Sequence, residues 1–572
     1  MKKILNIMFV IAGISLLYSC DDFLERQPLD QISEDQFWKT EGELQLYINE
    51  FYDGLPSWSG DGTGYSSIPD NNTDMVLYTT KSSRLDGAGS LPASGGGWDW
   101  GNVRNINYFL ANVDKATGVM KDHYKGEGYF FRARIYYGLL QSFGALPIID
   151  KPLEVEDVDY LYAPRAPRNE VVDFIVSNLD SAIMLLKPVT DAPAMRVNRD
   201  IALLYKTTVC LYEGTWEKYH QGDPFGVPGE DGSKYLQLVV DAATELINSG
   251  HYQILMGDAS SVYYELFNQT DLSGNPEIMM WRMYDYETYG GGFGNDAALW
   301  PNRSGITREM VRSYLCADGL PIALSPLYQG DDDLRTVTVN RDPRCVQSIM
   351  TPGDIMVISD KDTTFYVVPE LNSSNYCPTG YEWQKYRKPE TRPGGAREYN
   401  LAKIIYRYAE VLLNYAEAKA ELGTLTQADL DMTINVLRDR VGMPHLVLGS
   451  ITPDPDWPDW GYELPDYLQE IRRERIVEML GEGFRFADLM RWRAHNLIRG
   501  KRPRGTKYTD ELKAENPNFP EDAEGYIDPY FGQLIGPDDG YGFEPGRDYL
   551  KPLPSDQLTL NENLVQNPGW ED

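Results

Sequence analysis

Residues 404–422 read IIYRYAEVLLNYAEAKAEL, and this stretch decides the fold class. Apolar or aromatic side chains recur every three or four residues, at positions 404, 408, 411, 415, 418 and 422. Polar side chains follow the same spacing on the other side, at Arg407, Glu410, Asn414, Glu417 and Glu421. The pattern is typical of an amphipathic helix with a wide buried face. Gly423 is expected to end that helix.

A second helical segment follows at once, ADLDMTINVLRDRVG at 428–442, so the two predict an αα-hairpin. Seven further helices are predicted, at 33–52, 102–120, 123–143, 169–186, 198–219, 235–248 and 464–492. The segment YAEAKAELG resembles the small-residue pattern of tetratricopeptide helices, but no regular 34-residue period runs through the chain. The sequence therefore predicts a mostly α fold, with degenerate tetratricopeptide-like helical pairs forming a scaffold.

Long segments rich in Gly, Pro and aromatic residues separate the helices, at 54–100, 283–305, 331–393 and 501–552. Loops of this length are usually functional or disordered. Disordered segments are poor in aromatic residues, whereas these are rich in Trp and Tyr. We therefore expect a large, ordered, irregular loop-rich region on top of the scaffold.

The chain has 572 residues, with 53 Lys and Arg against 86 Asp and Glu, for a formal charge of −33. Such a charge repels phosphate backbones and argues against nucleic-acid binding. Enzyme signatures are missing too, since the sequence contains no phosphate-binding G-x-x-x-x-G-K-[ST], no H-E-x-x-H and no G-x-S-x-G. A glycosidase needs only two carboxylates, which the sequence neither excludes nor locates.

Residues 1–19 have the parts of a secretory signal: Lys2 and Lys3, then an apolar stretch too short to span a bilayer. The residues Leu-Tyr-Ser-Cys at 17–20 resemble a bacterial lipobox, with Tyr18 as a departure. By that resemblance Cys20 becomes the first residue and carries acyl chains such as palmitate, which anchor the protein. The alternative is an ordinary signal peptide with an incidental cysteine.

The other cysteines are Cys210, Cys316, Cys345 and Cys377, and they show no zinc-binding spacing. Whether they form disulfides is left open. Three consecutive aspartates, Asp331 to Asp333, could hold a structural calcium ion, but a solvated acidic loop is the simpler interpretation. The sequence thus predicts no cofactor.

Two aromatic clusters suggest ligand binding. One is SGGGWDWGN at 94–102, and the other is WRMYDYETYGGGFGNDAALWPNR at 281–303. Aromatic rings can stack on sugar rings while polar side chains bind the hydroxyls. The candidate ligand-binding residues are Trp98, Asp99, Tyr284, Tyr286, Tyr289, Asn295, Trp300 and Arg303. The alternative is that these rings pack the loops onto the core, which is favoured for Trp100 and Trp281.

Seven blocks, in order, resemble the SusD-like (RagB/SusD) family of outer-membrane nutrient-binding lipoproteins. They are residues 21–55, YKGEGYFFRARIYYGLLQSFGALPII at 124–149, YLCADGLPI at 314–322, RYAEVLLNYAEAKAELG at 407–423, INVLRDRVGMP at 434–444, IRRERIVEMLGEGFRFADLMRWR at 471–493 and YLKPLPSDQLTLNENLVQNPGW at 549–570. The resemblance implies a cleaved leader at 1–19, an N-terminal part at 20–230 and a C-terminal part at 231–572, as one intertwined unit.

The resemblance also implies a function. Proteins of this family lie on the outside of the outer membrane as lids over a SusC-like TonB-dependent transporter, and they capture glycans without chemistry of their own. Their binding loops correspond by region to the neighbourhoods of Trp98 and of residues 284–300. Asp21 and Asp22 would belong to a surface-export signal, or else to a flexible tether. Some members bind peptides or no glycan, so one alternative is a transporter lid that binds peptides or has a purely structural role. A lipoprotein glycosidase is the other alternative. The negative charge of the chain favours a neutral glycan over a uronic or sulfated one.

Overall fold

The structure, a computed structural model, describes residues 37–58, 68–285, 303–390 and 400–571. Within these ranges it has seventeen α-helices: α1 Glu41–Ile48, α2 Gly101–Asn112, α3 Lys121–Phe143, α4 Val158–Leu161, α5 Arg168–Leu185, α6 Arg199–Tyr219, α7 Ser233–Ser249, α8 Val262–Leu266, α9 Arg308–Ser313, α10 Pro343–Val346, α11 Tyr408–Glu421, α12 Gln427–Met432, α13 Ile434–Arg440, α14 Asp466–Glu478, α15 Arg485–Arg491, α16 Asp510–Glu515 and α17 Ser555–Leu560. The same ranges hold six strands: β1 Val76–Tyr78, β2 Ile278–Arg282, β3 Ser304–Ile306, β4 Ile355–Ile358, β5 Thr363–Phe365 and β6 Lys403–Arg407.

The long helices form the scaffold. Helix α3 packs against α5, α5 against α6, α6 against α7, α7 against α11, and α11 against α14. Each long helix therefore lies against the next one along the chain, and together they enclose the larger of two main hydrophobic cores. The predicted mostly helical fold is confirmed.

The loop-rich region has a core of its own. Three two-stranded antiparallel ribbons brace it, β1 with β3, β2 with β6 and β4 with β5. Val76 lies opposite Ile306 in the first ribbon, and Trp281 lies opposite Ile404 in the second. Their side chains join a second hydrophobic cluster that includes Trp383. The described parts of the long loops are thus packed structure, as their aromatic content predicts.

Two predicted helices are shorter in the structure, since the α-helix within 33–52 is Glu41–Ile48 and the one predicted at 102–120 is Gly101–Asn112. The predicted helix boundaries were also wrong in three other places. Residues 404–407 belong to strand β6, and the helix begins at Tyr408. The predicted helix 464–492 is two helices, because Gly481 and Gly483 take positive φ angles of 79° and 96° between α14 and α15. The second helix of the hairpin is broken at Thr433, whose ψ of −85° is not helical. Hydrophobic spacing located these segments but not the interruptions within them.

The polar face of α11 is buried, which the amphipathic pattern did not predict. Glu410, Asn414, Glu417 and Glu421 are all inaccessible to solvent or nearly so. Glu417, for example, accepts from the Nη2 of Arg491 at 2.8 Å and from the indole Nε1 of Trp492 at 2.7 Å. This face packs on side chains of complementary charge or hydrogen-bonding capacity, so it needs no solvent.

A network of buried ion pairs joins the scaffold to the loop-rich region. The cations are Arg344, Lys385, Arg407, Arg438 and Arg440, and the carboxylates are Glu277, Asp342, Glu470, Glu474, Glu478 and Glu482. Three arginines surround one carboxylate, Glu478, and hold its pKa well below its usual range against the opposing effect of burial. The block IRRERIVEMLGEGFRFADLMRWR therefore contributes paired charges to the interior as well as apolar side chains.

Glu217 on α6 is a buried carboxyl without a hydrogen-bond partner among the described residues, and it is 1% exposed. Burial raises its pKa to about 8. Such a carboxyl destabilises the folded protein increasingly as the pH rises from the pKa of the unfolded state, near 4.3, to the pKa of the folded state.

We therefore expect Glu217→Gln to be more stable than wild type at pH 8, with a smaller difference at pH 5. Thermal unfolding at both values tests this, with the exposed Glu170→Gln on α5 as control. An advantage that does not grow with pH would contradict it.

Cys210, Cys316, Cys345 and Cys377 are all buried and free. The described part of the chain holds no group of three or more His, Cys, Asp or Glu that could bind a metal ion. In the acidic loop, Arg308 pairs with Asp331 and Arg335 pairs with Asp333. Within the described ranges, no helix has both the length and the apolar composition that crossing a bilayer requires.

Candidate functional site

A cleft of about 670 Å³ opens beside the loop-rich region. Its walls come from α9, the C-terminal half of α14 and the N-terminus of α15, together with the loops at 454–460, 497–504 and 522–524. Its apolar lining includes Met75, Ile322, Ile476 and Leu497. A cleft of this size, with an apolar lining and convergent polar groups, is the usual form of a ligand site.

One wall is the segment RGKRPR at 499–504, which we call the basic segment. Its residues 500–504 line the cleft. Gly500 donates to the carbonyl of Tyr541 at 2.8 Å, and the Tyr541 amide donates to the carbonyl of Lys501 at 3.0 Å. Gly540 lies so close that a Cβ there would be 2.3 Å from the carbonyl carbon of Gly500. Close backbone packing thus fixes the basic segment against the cleft.

Trp457 also lines the cleft and is half-buried. The Arg473 guanidinium lies 4.5 Å from the centre of its ring, and Arg473 pairs in turn with Asp454 at 2.5 Å. This cation–π contact and ion pair hold the ring in place. The indole Nε1 of Trp457 is buried and has no hydrogen-bond partner in the part of the chain that the structure describes. An indole N–H beside a cleft is a donor available to an acceptor on a ligand.

The carboxylates of the cleft fall into two groups. Asp74, Asp454, Asp456, Asp522 and Glu524 each form an ion pair with an arginine. Glu309 forms no ion pair with a described residue and accepts only a long hydrogen bond of 3.4 Å from the amide of Arg504. Burial raises the pKa of Glu309 to about 7. This carboxyl is therefore partly protonated near neutral pH and can both donate and accept hydrogen bonds.

The structure places Trp98 in the helical core. Its ring is 9% exposed and packs edge-on against Phe143, with centroids 5.0 Å apart, and against Trp100 at 5.3 Å. Trp100 is the more exposed of the two, the reverse of our expectation, because the glycine turn before Trp98 directs that ring inward. Asp99 is exposed, and its Oδ1 accepts from the amide of Gly101 at 2.9 Å.

Tyr284 is buried in the second core, where its hydroxyl accepts from the amide of Trp58 at 2.8 Å. Arg303 is exposed, and its Nε donates to the carbonyl of Ser374 at 2.9 Å. The structure thus does not bring Trp98 and Tyr284 into one cluster, and none of these predicted residues lines the cleft. The predicted residues Cys20, Tyr286, Tyr289, Asn295 and Trp300 lie outside the described residues. The ligand-binding role of the eight candidate residues and the lipidation of Cys20 stay predictions.

Sequence reasoning missed the cleft residues. The basic segment holds four cations in six residues of an acidic chain, which is a readable signal, but the charge of the whole chain masked it. Trp457 lies in PDPDWPDW at 453–460, which carries no pattern that separates a ligand platform from a loop anchor. Only the tertiary fold brings the two segments together across a cleft.

The fold and the cleft define a class of mostly helical protein, in which paired helices support a second, loop-built core. Within that class the chain belongs to the SusD family, whose model matches residues 273–570, more than half of the chain. A second family model, described as "Starch-binding associating with outer membrane", matches residues 100–208.

Individual proteins agree with this assignment. The chain is 25% identical over 512 residues to SusD-like protein P38 of Formosa agariphila, which covers 86% of this chain and 92% of the relative. A SusD-like carbohydrate-binding protein of Bacteroides fragilis superposes with a TM-score of 0.70 at 21% identity, over 92% of this chain and all of that one. A laminarin-binding SusD-like protein superposes with a TM-score of 0.52 at 18% identity, over 93% of this chain and all of that one. At these identities the structural likenesses establish the fold.

Proposed function

We propose that this protein is a cell-surface glycan-binding lipoprotein that captures oligosaccharides or polysaccharides for a SusC-like TonB-dependent transporter of the outer membrane. The observation that carries the proposal is family membership together with a cleft that combines Trp457 with convergent hydrogen-bonding side chains. Names of similar proteins support it, since two of them denote carbohydrate or laminarin binding. Association with the outer membrane is supported by the description of the second family model.

Capture without catalysis fits the charges in the cleft. Hydrolysis of a glycosidic bond needs a carboxylic acid and a second carboxylate that is free to act as base or nucleophile. Glu309, with its raised pKa, has the character of an acid, but each of the other five lining carboxylates is paired with an arginine. Such pairing holds a carboxylate in place and weakens it as a base. We therefore propose that the ligand leaves the cleft chemically unchanged.

Isothermal titration of the mature chain against a polysaccharide panel tests ligand capture. We expect Trp457→Ala to weaken binding roughly fivefold, because stacking on one aromatic ring contributes about 1 kcal/mol. Phe365→Ala is the matched control, since Phe365 is an exposed aromatic residue that does not line the cleft. Binding that survives Trp457→Ala but is lost in Tyr289→Ala with Trp300→Ala would move the site to the loop predicted from the sequence.

Anchoring and delivery need their own experiments. Palmitate labelling of the full chain in its own cells should be lost in Cys20→Ala, and the anchor is refuted if labelling persists.

Purification of a tagged wild-type protein should recover a SusC-like outer-membrane barrel. Recovery of the anchored protein without any such barrel would contradict the proposed delivery step.

A further inference from the structure

The basic segment supplies one ammonium group without an ion pair in the described ranges and guanidinium groups with unused donors. The Lys501 side chain is exposed, and its ammonium forms no hydrogen bond or ion pair with any residue in the described ranges. Arg504 contacts Asp522 and Glu524 through Nη1 alone, at 3.2 and 2.9 Å. These contacts leave the Nε and Nη2 donors of Arg504 for another acceptor, and a planar guanidinium can bind a carboxylate or sulfate through two such donors.

Arg502 adds to the same wall. It pairs through Nη2 with Asp528, which does not line the cleft, and its guanidinium lies 5.8 Å from the centre of the Phe531 ring. The donors on its other nitrogens are therefore also open to a ligand. The cleft wall thus presents an ammonium and two partly used guanidinium groups within four residues, 501–504.

Two buried N–H donors that line the cleft lack an acceptor among the described residues. One is the indole Nε1 of Trp457, and the other is the Nη1 of Arg485. Arg485 is 5% exposed and pairs with Asp74 through its Nε and Nη2. A buried donor without an acceptor costs free energy. A ligand rich in acceptor oxygens would satisfy both.

The lining of the cleft is much richer in cations than the chain as a whole. Seven cationic side chains line it, namely Arg308, Arg312, Arg473, Arg485, Lys501, Arg502 and Arg504. Six carboxylates line it, namely Asp74, Glu309, Asp454, Asp456, Asp522 and Glu524. Two of these cations, Arg308 and Arg502, pair with carboxylates just outside the lining, Asp331 and Asp528, so the charges of the cleft and its partners nearly balance in a protein whose formal charge is −33. Such a site repels an anion far less than the rest of the acidic surface does, and its unpaired ammonium and unused donors can bind one.

We infer that the cleft selects anionic oligosaccharides, in which carboxylate or sulfate groups on the sugar contact Lys501, Arg502 and Arg504. The inference deepens the proposed function and rests on it. It also opposes the expectation, drawn from the net charge, that the glycan is neutral. A bound ligand contacts the charged groups of the cleft directly, whereas salt screens its interaction with charges on the distant surface.

Matched pairs of oligosaccharides test the charge requirement without changing the sugar backbone. The first pair is an oligogalacturonate and its fully methyl-esterified form, and the second is a sulfated galactan oligosaccharide and its desulfated form. In isothermal titration with the mature chain, we expect one anionic member to bind at least tenfold more tightly than its neutral partner. That preference should shrink as NaCl rises from 20 to 300 mM, because salt screens charges. Whichever pair shows the preference identifies carboxylate or sulfate as the anion.

Variants then assign the preference to the basic segment. Lys501→Gln combined with Arg504→Gln should weaken binding of the anionic member about tenfold and leave binding of the neutral member unchanged. Arg499→Gln is the matched control, because Arg499 belongs to the same segment but does not line the cleft, and it pairs with Glu544. We expect this control to bind like wild type.

The outcomes separate this inference from the function beneath it. The inference fails, and the proposed function stands, if a neutral glycan of the panel binds while both anionic members bind no better than their neutral partners. It also fails if the double variant keeps the full preference. If neither the matched pairs nor any member of the polysaccharide panel binds the wild-type chain, the proposed function fails together with the inference.

Discussion

Leucine in place of Arg407 is expected to lower the free energy of unfolding by about 3–5 kcal/mol. The Arg407 Nη1 lies 2.9 Å from Oε1 of Glu277 and 2.7 Å from Oε1 of Glu478, and the Nε lies 2.7 Å from Oε2 of Glu482. All four side chains are buried or nearly so. Without this cation the three carboxylates lose a common partner in the protein interior. Their remaining negative charge is then poorly compensated where the dielectric constant is low. Uncompensated buried charge is among the most destabilising changes that one substitution can cause.

Urea unfolding followed by tryptophan fluorescence measures this effect. Arg199→Leu is the matched control, because Arg199 pairs with Glu245 at the surface, with 39% and 45% of their side chains exposed. Exposed ion pairs contribute little, so we expect the control to change stability by less than about 1 kcal/mol. Arg407→Lys keeps the charge but loses the forked donors, and we expect an intermediate loss. An Arg407→Leu protein as stable as the control would show that the network does not join the two cores.

Trp98→Ala is expected to lower the free energy of unfolding by a similar amount, about 3–5 kcal/mol, because deleting a large buried ring leaves a cavity. The ring contacts Phe143 and Trp100 and belongs to the helical core. This result would separate a packing role from the ligand-binding role that the sequence suggested. A ring that serves mainly as a platform for sugar can be removed with little effect on folding.

Denaturant unfolding and glycan titration should be run on the same Trp98→Ala sample. Asp99→Ala is the control, since Asp99 is exposed and adjacent, and we expect it to change stability by less than about 1 kcal/mol. A Trp98→Ala protein that is as stable as wild type but has lost its glycan affinity would restore Trp98 to the binding site. A destabilised protein with unchanged affinity would confirm that Trp98 is part of the core.

Much of the fold could be predicted because it is encoded locally. The spacing of apolar residues located α3, α5, α6, α7 and α11 to within a few residues, and Gly423 ends α11 as expected, with a φ of 68°. The burial of the polar face of α11 could not be predicted in this way. Whether Glu417 faces water or Arg491 depends on a contact across 74 residues, and helical spacing carries no information about such partners.

The site was harder to predict for the same physical reason. An aromatic residue in a loop can anchor that loop or contact a ligand, and local sequence is alike in both cases. Trp98 and Tyr284 proved to be packed in the two cores, whereas Trp457, which no motif marks, lies beside the cleft. Net charge does not reveal such a site either, because it averages over a surface on which the basic segment occupies a small part.

Titration of the mature wild-type chain with the glycan panel, with reducing ends assayed in the same samples, tests the central claim most directly. The account predicts saturable, reversible binding of at least one member, weakened by Trp457→Ala, with no new reducing ends after prolonged incubation. Turnover would contradict it, shown by reducing ends that increase with time and are lost in Glu309→Gln. Complete absence of binding across the panel would contradict it as well.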